Sequence, residues 1–149
     1  MSGLLHAHSG LRYIALALLV VSVIVSFISW RGKKSFTEGN RKLYLFTMIT
    51  SHIQLLIGLI LIVTSIIPMI ANAGFGEVMK NPEARFFAVE HPAMMILALA
   101  FITVGHSKSK KVKADANKHR FIFVFYLLAL ILIFFAIPWP FMSPARPLF

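Results

Sequence analysis

The sequence predicts an all-α protein: a single integral-membrane domain of four helices, running up-down-up-down with both termini periplasmic. Three observations predict it. Hydrophobic residues make up 58% of the 149 and the mean hydropathy is +0.82, more apolar surface than a soluble domain of this size buries. That surface is gathered into four stretches, each close to the about 20 residues that cross a bilayer. Eleven of the fifteen Lys and Arg fall in the two connections 31–42 and 106–120, the positive-inside pattern of cytoplasmic loops.

The same distribution decides what the net charge of +10 means. Basic residues confined to loops between apolar spans suit anionic lipid headgroups, so membrane lipid is the expected partner and nucleic acid is not. With no cysteine there is no disulfide, thiolate metal site, iron–sulfur cluster or covalent haem attachment. A redox cofactor would have to be held by histidine or methionine. The first ten residues carry no Lys or Arg and lead straight into a full-length span, so no cleaved signal peptide is expected.

The first span is expected over 11–30, ending in the interfacial Trp30, with His6 and His8 just outside it. The second runs over 43–67, where Pro68 is expected to end it. Gly74 and Gly76 punctuate the next connection, and Asn81-Pro82 is an N-cap and first turn. The third span covers 86–106, with Pro92 kinking it beside His91. The fourth covers 121–137, almost purely apolar and expected to serve as lipid-facing packing, and Pro138-Trp139-Pro140 stops it. Ser22, Ser26, Ser51 and Gly58 are the small residues expected to let helices approach.

Ionisable groups at membrane depth are costly and mark function by default. The third span carries Glu90, His91 and His106. Fifteen steps of 100° place His106 within about 60° of His91 and roughly 22 Å further along the axis, with Met95, Ala98 and Ile102 between them. His52 lies inside the second span, beside Ser51, Gln54 and Gly58, and is expected to be the most deeply buried imidazole; His119 reads as a solvated loop residue. By depth, His8 and His91 form an outer layer and His52 and His106 an inner one. Each layer offers the two imidazoles that a six-coordinate, non-covalent haem requires. One haem, held by His91 with His8 or His52, is an alternative to two. Arg12 and Arg85 are candidates for holding propionates outside, and Lys42 or Arg120 inside. Glu90 either pairs with Arg85 or Arg12 or handles protons.

LLHAHSGLRY, SHIQLLIGL, RFFAVEHPAMM, NKHRFIFVFY and IPWPF together resemble small four-span inner-membrane proteins of Bacteroidetes-type bacteria that carry a cytochrome b-like label. The resemblance covers nearly the whole chain. It implies a bacterial inner-membrane address and haem b, mapping most naturally onto His8, His52 and His91. The expected function is thus electron carriage by one or two b-type haems, with quinone a possible partner. Two other classes stand beside it. One is a non-catalytic accessory subunit of a larger membrane complex. The other is an outer-surface copper or zinc site built from His6, His8, Glu90 and His91. No nucleotide loop, hydrolase triad or paired carboxylates occur, so a self-contained enzyme is not expected.

Overall fold

The computed structural model describes residues 2–139. Among them there is no strand, and four helices are long and apolar enough to cross a membrane. Helix α1 is Ser2–Arg31, α2 is Glu38–Ala73, α4 is Pro82–Lys111 and α5 is Asp115–Ala136. The short α3, Phe75–Lys80, joins α2 to α4.

All four helices run further than their apolar cores. His6 and His8 therefore sit within α1 and not in a tail ahead of it. Thr37 starts α2 with a capping box, its hydroxyl accepting from the Asn40 N–H while the Asn40 side chain accepts from the Thr37 N–H. Asn81 caps α4 as its sequence signature predicts, its side-chain oxygen accepting from the Glu83 and Ala84 N–H groups. The second basic connection is mostly helix, with non-helical residues only at 112–114. Helix α5 ends at Ala136; the expected stop at Pro140 and the tail to Phe149 lie outside the described residues.

Pro68 does not end α2. The helix widens into a π turn at Ile62–Ile66 and continues to Ala73. The same device precedes Pro92, with a π turn at Phe86–Glu90. A proline has no N–H and its ring collides with the carbonyl four residues back. In both helices the residue before the proline bonds five residues back instead, Ile67 N–H to Ile62 O and His91 N–H to Phe86 O. The wider turn accommodates the ring without breaking the helix. The two π turns touch each other.

The helices pack in the cyclic order α1–α2–α4–α5, and α2 touches α4 least of the four neighbouring pairs. The core is Leu19, Val23, Tyr44, Ala98, Ile102, Ile122, Tyr126 and Ala129. Ser22 and Thr47 join α1 to α2 through a buried 2.8 Å hydroxyl pair. Helix α5 is no mere lipid-facing span: one face buries His119, Ile122, Tyr126 and Ala129, while Leu128, Ile131, Phe134 and Phe135 point outward. It packs tightly on Gly105 of α4, where a Cβ would lie 2.5 Å from the Phe125 Cβ.

Candidate functional site

Away from the basic loops, on the side of the bundle where the two π turns lie, a cavity of about 720 Å³ opens between α1, α2 and α4, with the end of α5 beside it. Its walls are mostly aliphatic, with Leu16, Leu55, Met95, Leu99 and Ile102 among them. The polar residues facing it include His8, Arg12, Gln54 and His91.

His8 comes from α1 and His91 from α4, helices on opposite corners of the bundle. Their ring centres lie 6.3 Å apart with planes inclined at 75°. His91 Nδ1 donates to the Ala136 carbonyl at 2.8 Å, an oxygen that the end of α5 leaves without a helical partner. A carbonyl only accepts, so Nδ1 carries the proton and the lone pair of neutral His91 resides on Nε2. The His8 ring lies over α2 at Gly58, where a Cβ would stand 3.3 Å from His8 Cε1. Gln54, one turn earlier on the same face, donates from Nε2 to the His8 carbonyl at 2.7 Å.

The remaining expected site residues separate from this pair. Arg12 lines the cavity, with its guanidinium also against the Tyr13 ring and hydroxyl. Arg85 bonds Glu90 at 2.8 Å and also reaches the Met79 carbonyl; of the two partners considered for Glu90, the structure supplies Arg85. His6 is exposed on α1. Among the described residues no three of His, Asp and Glu come together as metal ligands, and the set His6, His8, Glu90 and His91 is not assembled as one site.

The expected inner layer does not form as a pair facing one cavity. His52 donates from Nδ1 to its own helix at Met48 O, 2.8 Å, and places Nε2 3.5 Å from Thr103 Oγ1. That hydroxyl in turn donates to Leu99 O. His106 lines a separate space of about 90 Å³ with Tyr44 and Ser109, too small for a macrocycle. Arg120 stacks on Trp30, 5.9 Å from the ring centre.

His119 is the least exposed imidazole, at 0% exposure, whereas His52 is half-buried. The turn chemistry around KADANKHR suggests a loop, but Asp115 starts a helix there and accepts from the Phe36 N–H at 2.9 Å. This draws the 31–37 connection over His119, which meets the Tyr44 hydroxyl at 3.2 Å and the Phe36 ring. Tyr126 completes the cluster by donating to Tyr44 O at 2.9 Å.

Sequence reasoning placed Gln54 and Gly58 beside His52. The i,i+4 spacing that puts both on one helix face is the signal that connects them; that this face belongs to His8 depends only on how α1 and α2 pack. No family model, curated protein or solved structure matches the chain.

Proposed function

We propose that this is a b-type haem-binding protein of the bacterial inner membrane that carries electrons, with His8 and His91 as the axial ligands of one haem. The observation that carries the reading is the His8–His91 pair at the large cavity. An imidazole nitrogen binds a metal at about 2 Å, so two imidazoles on opposite sides of one iron hold their ring centres roughly 6 Å apart. The observed 6.3 Å and the steep angle between the rings fit that arrangement. Three further features fit haem. The cavity is large and apolar. His91 presents the Nε2 lone pair because Nδ1 is tied to Ala136 O. Arg12 stands at the same cavity as a partner for a propionate.

Haem held by His8 and His91 would supply reversible one-electron chemistry. The chain's own residues would hold the group through His8 and His91 and exclude water from it with the aliphatic walls of the cavity. A lipid-soluble carrier such as quinone is the redox partner this location favours. The geometry favours one haem over two, because His52 and His106 do not line a shared space of sufficient size.

Purified protein in detergent tests the reading. The expected result is a Soret band that sharpens on reduction, lost in His8→Ala and in His91→Ala but retained in His52→Ala, His106→Ala and His119→Ala. A colourless wild type that copurifies with other membrane subunits would replace the cytochrome with an accessory subunit.

A further inference from the structure

Among the described residues, His8 Nδ1 and Gln54 Oε1 are buried at the large cavity without a hydrogen-bond partner. They belong to residues already joined, since Gln54 Nε2 donates to the His8 carbonyl at 2.7 Å. That bond also settles which end of the amide is which. The carbonyl of His8 needs a donor, so Nε2 is the atom bound there and Oε1 is the free acceptor. The Nδ1–Cε1 edge of the His8 ring faces α2, because a Cβ on Gly58 would stand 3.3 Å from Cε1 and 3.9 Å from Nδ1. Gln54 lies on that same face of α2, one turn away.

We infer that Gln54 is the positioning residue for His8, its Oε1 accepting from His8 Nδ1–H and so fixing the tautomer that leaves the Nε2 lone pair for a metal. This deepens the haem reading and rests on it for the identity of the metal. A buried acceptor and a buried donor on touching residues each carry a desolvation cost that one mutual bond removes. The bond requires a rotation of the Gln54 amide or of the imidazole, for which the bare Cα of Gly58 leaves room, and it competes with the Gln54 backbone carbonyl, which also faces the ring. The two candidate ligands are then held alike. His91 gives its Nδ1 proton to the terminal carbonyl of α5, and His8 gives its own to an amide of α2. Residues that orient ligating histidines in this way sharpen affinity by fixing ring and tautomer together.

The test has one arm without haem and one with it. In haem-free protein carrying ¹⁵N-labelled histidine, His8 should be the Nδ1–H tautomer, and Gln54→Leu should shift it toward Nε2–H. In haem-loaded protein, Gln54→Leu should weaken haem binding about 10–100-fold. Gln54→Glu, which keeps an acceptor oxygen, should restore the tautomer and lower the midpoint potential, because a carboxylate draws the Nδ1 proton more strongly. If the His8 tautomer is the same in wild type, Gln54→Leu and Gln54→Glu, the positioning role is wrong even where haem is bound. If wild type binds no haem, the cytochrome reading fails, while the tautomer shift still decides whether Gln54 orients His8.

Discussion

Glu90 carries two readings, an ion pair and a proton-handling group. A carboxylate at the start of an apolar span invites a proton-handling assignment, and composition offers no way to choose between that and an ion pair. The structure supplies the pair: Arg85 Nε lies 2.8 Å from Glu90 Oε1, both side chains about two-fifths exposed. An ion pair open to solvent to that degree contributes about 0–1 kcal/mol. If haem is bound and Glu90 serves only as this ion pair, Glu90→Gln should lower thermal stability only slightly and leave the pH dependence of the midpoint potential unchanged. Potentiometry across pH checks this, and a changed slope would return Glu90 to proton chemistry. Tyr126 illustrates the opposite case. Its hydroxyl donates to the Tyr44 carbonyl from a fully buried position. Tyr126→Phe removes that bond without opening a cavity, at an expected cost of about 0.6 kcal/mol, the average for interhelical side-chain bonds in membranes. Thermal unfolding in detergent measures it.

At the scale of the helix, the two prolines do more than mark positions. Each comes directly after a π turn, the two turns touch, and they divide α2 and α4 where the large cavity opens. A π turn holds one residue more than the α turn it replaces, so tightening it rotates the helix before it by about 100° relative to the helix beyond it. Pro92→Ala restores the missing N–H and permits that tightening. If haem is bound as proposed, the expected outcome is unchanged helix content by circular dichroism with reduced haem occupancy, as the segment before His91 turns against α2. Retained occupancy would separate the π turn from the site. Gly105 governs the other side of the bundle: with Phe125 Cβ at 2.5 Å from the position a methyl would take, Gly105→Ala should cost about 1–3 kcal/mol by overpacking. Hydropathy locates the spans, and the Asn81-Pro82 signature locates the start of α4. Neither exposes a π turn, because local propensity carries no sign of which backbone donor a proline will displace. Nor does periodicity within α4 reveal that His91 faces α1 and α5, since its partners at His8 and Ala136 depend on the packing of all four helices.

At the scale of the molecule, charge divides between the two ends. The end built from the 31–42 and 106–120 connections holds eleven basic residues against Glu38 and Asp115, whereas at the other Glu77, Glu83 and Glu90 are balanced by Arg12, Lys80 and Arg85. Translocating Lys and Arg is disfavoured, so the expectation to test is that the basic end faces the cytoplasm and the large cavity lies near the opposite membrane surface. That orientation has a functional consequence. A haem held by His8 and His91 would exchange electrons close to the outer surface, and the cytoplasmic half, closed by Tyr44, His119 and Tyr126, would act as packing. Single cysteines test the orientation, because the chain has none of its own. Ser35 and Asn117 are exposed at the basic end, and Asn72 is exposed at the other. In intact cells, a membrane-impermeant maleimide should label Asn72→Cys and spare Ser35→Cys and Asn117→Cys until the membrane is permeabilised. Labelling of Ser35→Cys and Asn117→Cys with protection of Asn72→Cys would invert the protein and move the cavity, with any electron exchange there, to the cytoplasmic face.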